Sequence, residues 1–367
     1  MNESFDAEKW IRPGLESFCG YSACKSADVI GEQLGADASS IVKLDANENP
    51  YGAAPSVAQV LGRNNFFHIY PDAEQTETRR LLSAYCGVKP ENIVMGSGSD
   101  QLIDLLIRLF VGTGEEIINM VPTFAMYKFY ADLNQCQVVS VARDANFAVD
   151  VAAVSRAITP KSKLLFLANP NNPTGTLTER TDVLRLMDLG LPTVVDEAYF
   201  EFTGESIIDQ MECYPNLMIL RTFSKWAGLA GLRVGYGVFP EKIAAYLHAI
   251  RDPYNLNSAA VAAVGASLKE LPYLSANVRK IVAERDRLFS VLQNSISWLF
   301  PYPSRANFIL CRVDRDSASK LQTKLERRGI LTRCFSGGML NNCIRFSVGK
   351  PEENDILLEA LKTIGEE

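Results

Sequence analysis

Four short segments of the 367-residue chain hold residues whose types and spacing could do chemistry. In GSGSDQLIDLL (96–106), a turn of small residues follows a strand-like run and opens a helical one. Backbone N–H groups at such a start point outward, and the helix dipole favours an anion, usually a phosphate. The pattern G-x-G-x-x-G fails because position 101 is Gln, and G-x-x-x-x-G-K-[ST] is absent. Neither a dinucleotide nor a nucleoside triphosphate is therefore indicated. Taken alone, the turn could equally bind nothing. In ANPNNPTG (168–175), two prolines and a glycine set an irregular turn after an apolar run. That is where an open α/β sheet presents the carboxyl end of a strand to a ligand, and Asn172 offers an amide there that can donate and accept.

TVVDEAYFEF (193–202) carries Asp196 at the end of an apolar run and Tyr199 three residues on. A carboxylate in such poor solvent is costly without a positive partner. A protonated ring nitrogen would be one, although a strand-terminal Asp can also serve as a helix cap. RTFSKWAGLAGLRVGYG (221–237) holds Ser224, Lys225 and Arg233 around a glycine-rich turn. A lysine between a strand and apolar residues can be desolvated, which lowers its pKa toward nucleophilic use. Ser224 and Arg233 suit a phosphate dianion. Together the four segments offer a phosphate cradle, a carboxylate for a pyridinium nitrogen, donors for a phenolic oxygen and a lysine for an aldehyde. Those are the requirements of pyridoxal 5'-phosphate. The lysine would double as a proton shuttle, which answers how a chain with only two histidines, His68 and His248, could move protons.

The elements that must position these segments are legible as an alternation. Seven short apolar runs, at 92–96, 116–121, 137–142, 163–169, 192–197, 216–222 and 233–239, alternate mostly with helical patterns. Several are apolar at nearly every position, as strands buried on both faces are. This predicts an α/β domain with a seven-stranded, mostly parallel sheet. Beyond residue 255 two long helical patterns, a strand-like NFILCRV (307–313), a helix, CIRFSVG (343–349) and a last helix predict a smaller α+β domain. The division is expected as 44–255 for the large, cofactor-binding domain and 256–367 for the small one. Residues 1–43 read as an arm with little regular structure that joins the small domain.

Composition excludes other classes. Apolar residues at 47% and charged ones at 22% do not fit wholesale disorder or fibrous repeats. A net charge of −6 lacks the basic excess a nucleic-acid binder wants. No run of about 18 apolar residues predicts a membrane span, and the polar start MNESFDAEKW does not read as a secretory signal. Eight scattered cysteines without a C-x-x-C pair read as reduced thiols of a cytoplasmic protein. Two histidines argue against a multi-histidine zinc site, so no metal is expected.

The chain closely resembles the fold-type I pyridoxal-phosphate aminotransferases, and among them the histidinol-phosphate aminotransferase family. The resemblance runs from LDANENPYG (44–52) through IYPD (69–72), PTFAMY (122–127), NPNNPTG, DEAYFEF and TFSKWAGLAGLRVGYG to CIRFSVG. It implies that Lys225 joins the cofactor aldehyde, that Asp196 pairs with the ring nitrogen, and that Asn172 and Tyr199 hydrogen-bond the ring oxygen. It implies a phosphate site made by the backbone of Ser99 and Asp100 with Thr222, Ser224 and Arg233. Phe124 lies where the family commonly stacks a Tyr on the ring. Tyr70 would reach the cofactor phosphate of a second subunit, which implies a homodimer. Arg345 would clamp a substrate carboxylate, while Tyr21, Arg333 and Tyr254 would handle the distal end of the substrate. Trp226 after the lysine and His68 before the IYPD segment depart from the family's common pattern. The implied reaction moves an amino group from histidinol phosphate to 2-oxoglutarate. An aromatic amino acid aminotransferase and a phospho-amino-acid decarboxylase are the alternatives.

Overall fold

The computed structural model describes residues 6–12, 15, 18, 20, 24–63 and 67–367. Its strands are β1 (Val42–Lys43), β2 (Ile93–Gly96), β3 (Glu116–Val121), β4 (Gln137–Ala142), β5 (Ser162–Ala168), β6 (Thr193–Asp196) and β7 (Leu217–Thr222). They continue with β8 (Gly235–Val238), β9 (Leu299–Pro301), β10 (Phe308–Val313), β11 (Ile330–Leu331), β12 (Arg333–Phe335) and β13 (Cys343–Ser347). The seven apolar runs form one sheet in the order β2-β8-β7-β6-β5-β3-β4. Only β8 runs antiparallel to its neighbours.

The continuous apolar runs follow from two buried faces. Ile93 and Met95 of β2, Leu165 and Leu167 of β5, and Leu217 and Ile219 of β7 share one core. Their alternates Val94, Leu164, Phe166, Met218 and Leu220 enter a second core with helix Ser99–Phe110. Successive strand residues point to opposite faces, and helices cover both, so neither face can be polar.

Register places the chemistry on one rim. Ala168 pairs with Asp196 and Asp196 with Leu220, so the loops after β5, β6 and β7 stand side by side. Gly235 at the start of β8 pairs with both Gly96 and Thr222, the ends of β2 and β7. The carboxyl ends of four strands thus meet at one edge, where open α/β sheets bind ligands.

A second, antiparallel sheet has the order β12-β13-β10-β9, and β1 pairs parallel with β11. Val42 and Leu44 join Leu288, Leu292, Ile309, Phe346 and Leu361 in its core. The arm is more regular than its composition predicts. Ala27–Leu34 is a helix, capped by the Ser26 side chain and ended by Gly35 at φ +64. Ile30 packs there with Ile41 and Leu331. The start of the 256–367 segment also packs differently from expectation. Ala260, Ala263 and Val264 of helix Ser258–Lys269 lie in the core that holds Ile93 and Ile219, as does Val278 of helix Leu271–Ser295. Small alanine side chains let the first of these helices pack closely on helices Pro55–Arg63 and Thr76–Cys86, which join the same core.

Candidate active site

The rim opens into a cavity of about 420 Å³, within the range of small-molecule sites. Lys225, Asp196, Tyr199, Ser99, Asp100, Phe124, Asn172, Thr222, Ser224, Arg233, Arg333 and Arg345 all line it. The structure therefore brings together twelve sequence-predicted residues from separate elements. Tyr70 and Tyr254 are elsewhere, 75% and 44% exposed and stacked on each other with ring centroids 4.4 Å apart. Tyr21 lies outside the described residues.

Lys225 follows β7, and its Nζ donates to the Ala46 carbonyl at 3.0 Å. Burial, reinforced by the nearby Arg345 cation, lowers its pKa from 10.5 to about 8. Removing water destabilises the ammonium more than the free amine, and a second positive charge acts in the same direction. Asp196, at the end of β6, is 5% exposed. Burial pushes its carboxyl up to about 6, opposed by hydrogen bonds from the Tyr127 hydroxyl at 2.7 Å and the Ala198 N–H at 3.1 Å. Among the described residues no lysine, arginine or histidine forms an ion pair with it. Tyr199 accepts from the Asn47 side-chain amide at 2.9 Å and packs edge-on against Phe308.

At the β2 end, Gly98 precedes helix Ser99–Phe110 at φ +77, with no side chain capping the first turn. A Cβ on Gly98 would stand 2.7 Å from the Arg233 guanidinium, and one on Gly235 would stand 2.5 Å from the Ser99 nitrogen. At Gly235 only glycine lets the two backbones approach, and at Gly98 the left-handed φ favours glycine, so the helix amides stay clear. Arg233, itself at φ +50, pairs with the Asp100 carboxylate at 2.7 Å. The Ser224 amide donates to the Thr222 hydroxyl at 3.1 Å. Phe124 lies edge-on to Tyr127, centroids 5.6 Å apart.

The opposite wall comes from the second sheet. Arg333 and Arg345 are direct cross-strand partners on β12 and β13. Like charges set opposite one another repel, so an anion in the cavity they share relieves that cost. Arg345 donates to Asn172 Oδ1 at 2.5 Å and to the Asp45 carbonyl at 2.7 Å. Arg333 donates toward the Cys24 sulfur at 3.8 Å. A strap over 44–47 joins the two walls. Its four successive carbonyls accept from the Ser347 N–H, Arg345, Lys225 and the Asn307 side chain at 2.7–3.0 Å.

Two site residues escaped the sequence reading. Tyr127 stands within PTFAMY, but a tyrosine in an apolar helical stretch reads as core. Its hydroxyl contact with Asp196 spans 69 residues. Asn47 lies within LDANENPYG and carries no local pattern that distinguishes it from a turn residue. Its positive φ of +55 is the only trace, and that is a structural one.

The arrangement fits pyridoxal phosphate. The close approach at Gly98 and Gly235 leaves helix amides and Arg233 for the phosphate, and buried Asp196 lacks the cation that a protonated ring nitrogen would supply. Lys225 brings to the same cavity an amine whose pKa is lowered to about 8. Comparison with known proteins agrees. Residues 39–361 match the family described as aminotransferase class I and II. A histidinol-phosphate aminotransferase of Dehalococcoides mccartyi is 56% identical over 99% of this chain and 100% of its own length. Another, from Roseiflexus castenholzii, is 45% identical over 96% and 98%. The crystal structure of histidinol-phosphate aminotransferase from Sinorhizobium meliloti in complex with pyridoxal-5'-phosphate superposes with a TM-score of 0.87 at 27% identity. It covers 97% of both chains.

Proposed function

The chain belongs to the class I and II aminotransferase family, and from that premise we propose that it transfers the amino group of histidinol phosphate to 2-oxoglutarate. The products are imidazole-acetol phosphate and glutamate. The observation that carries the reading is a single cavity with a depressed lysine and a buried carboxylate on one wall and two opposed arginines on the other. Bound pyridoxal phosphate supplies an aldehyde for an amine and a protonated ring that draws electrons from the substrate α-carbon.

The residues divide the remaining work. Helix amides from Ser99 and Asp100, with Thr222, Ser224 and Arg233, hold the phosphate and fix the depth of the cofactor. Asp196 keeps a proton on the ring nitrogen. Its own tendency to take that proton, caused by burial, is countered by the Tyr127 and Ala198 donors. Phe124 covers one face of the ring, and Asn172 and Tyr199 donate to the ring oxygen. Lys225, with a pKa near neutrality, gives and takes the proton at the substrate carbon. Arg345 and Arg333 receive the anionic ends of glutamate or of the phosphorylated donor, since a guanidinium serves a carboxylate and a phosphate alike.

Tyr70 acts in a second subunit. Its ring is exposed beside exposed Ile69 and Phe67, so the patch suits burial against another copy. The homodimer works in the cytoplasm. In support, no helix among the described residues is long and apolar enough to cross a membrane, and the seven described cysteines are free. Purified protein loaded with pyridoxal phosphate tests the reading. Histidinol phosphate with 2-oxoglutarate gives glutamate. Preference for phenylalanine, or CO₂ from threonine phosphate, would overturn it.

A further inference from the structure

Asn47 is 1% exposed and sits at φ +55 between the two walls of the cavity. All its polar groups are engaged. Its N–H donates to the Ser347 hydroxyl at 2.8 Å, and its carbonyl accepts from Asn307 at 3.0 Å. The Ser347 hydroxyl in turn donates to Asn47 Oδ1 at 3.0 Å. Ser347 has one hydroxyl proton, and this orientation of the amide gives that proton its acceptor. The NH₂ end of Asn47 therefore faces Tyr199, whose oxygen accepts from it at 2.9 Å.

A phenol that receives a hydrogen bond is polarised into a better donor. It also has one lone pair committed, so its own proton must turn away from Asn47. Tyr199 and Asn47 both line the cavity. We infer that Asn47 is a positioning residue: its amide, locked by Ser347, sets the Tyr199 hydroxyl as a donor toward the ring oxygen of the bound cofactor. The inference rests on the reading of Tyr199 given above. It also gives the small sheet, through Ser347 of β13, a route to the electronics of a cofactor held by the large one.

The test uses the holoenzyme and two readouts besides turnover. One is the pH midpoint of the visible absorbance change of the bound cofactor, and the other is cofactor affinity by equilibrium dialysis. Asn47→Gly suits the positive φ and keeps both backbone hydrogen bonds while deleting the amide. It should move the midpoint in the direction that Tyr199→Phe moves it, and no further. Cofactor affinity should fall about threefold to tenfold, the worth of one ordinary hydrogen bond. The double variant should match Tyr199→Phe alone. Ser347→Ala, which unlocks the amide and also removes the acceptor of the Asn47 N–H, should give a smaller displacement of the same sign and decides the matter if Asn47→Gly does not fold. Wild-type midpoints in Asn47→Gly and Ser347→Ala, with Tyr199→Phe displaced, would overturn the inference and leave the Tyr199 reading intact. A wild-type midpoint in Tyr199→Phe would overturn both.

Discussion

The depressed pKa of Lys225 makes a quantitative claim about how the apoenzyme captures its cofactor. Addition to an aldehyde requires the free amine. With a pKa of about 8 instead of 10.5, about one lysine in ten is neutral at pH 7, against about one in three thousand at the ordinary value. The gain in reactive amine is therefore about 300-fold. Mixing apoenzyme with excess pyridoxal phosphate in a stopped-flow instrument, from about pH 6 to about pH 10, should give a rate that rises tenfold per pH unit and levels off near pH 8. A reference curve with N-acetyl-lysine amide removes the cofactor's own ionisations. Arg345→Gln probes the cause. It deletes the second contribution to the shift and leaves the first, burial, in place. The plateau should move upward yet stay below that of the free amine. A wild-type rate still climbing tenfold per unit beyond pH 9.5 would show that Lys225 is an ordinary amine and that the burial argument is wrong. Borohydride should fix the cofactor to wild type and not to Lys225→Ala, and labelling of another lysine would refute the assignment.

Asp196→Asn should slow each half-reaction by orders of magnitude, and a loss under about tenfold, or about 1.4 kcal/mol of barrier, would mark the residue as structural. The same substitution should help the apoenzyme. The carboxyl titrates at about 6 in the fold against 3.8 ordinarily, so the fold holds that proton tightly and wild-type stability falls as pH rises through this window. Denaturant unfolding should therefore show the variant gaining about 1–2 kcal/mol on wild type between pH 5 and pH 7.5. Tyr70→Phe, if inactive, should complement Lys225→Ala when the two are mixed equally and exchange subunits: each mixed dimer has one intact site of two and half the dimers are mixed, so about a quarter of wild-type activity returns, and a fully active monomer at every concentration refutes the shared site. Arg345→Ala should raise KM in both half-reactions, with kcat/KM falling by about tenfold to hundredfold for one lost charge-assisted bond. Arg333→Ala should weaken the phosphorylated donor far more than phenylalanine. Equal use of phenylalanine by wild type, with Arg333→Ala changing neither donor, would favour the aromatic aminotransferase instead.

The sheet was legible because its physics is local. A strand buried on both faces must be apolar at successive positions, and β5 and β7 announce themselves that way. Three of the cavity residues are legible for a related reason. Asp196 lies at the end of such a run, and Asn172 and Lys225 each come three residues after one, so finding the strand finds the residue. Arg345 lies in the strand-like CIRFSVG, but its register with Arg333 is a pairing between two strands and has no trace in either one. Helix Ala27–Leu34 was missed although Ser26 and Gly35 are ordinary start and stop signals, because its short apolar face is completed by Ile41 and Leu331 from elsewhere. Tyr127 and Asn47 were invisible as site residues for the strongest reason: their partners lie 69 and 152 residues away.

The strap at 44–47 has a consequence for the order in which the protein is made. The groups its carbonyls accept from are synthesised long after it. Lys225 follows Ala46 by 179 residues, Asn307 follows Asn47 by 260, and Arg345 follows Asp45 by 300. Until β13 is complete, the Leu44 and Asp45 carbonyls lack the Ser347 and Arg345 donors. The lysine can emerge and the large sheet can close before Arg345 exists. A nascent chain can therefore complete the large sheet's side of the cavity while the wall carrying Arg333 and Arg345 is still missing. The two sides of the pocket face each other only once β13 has emerged.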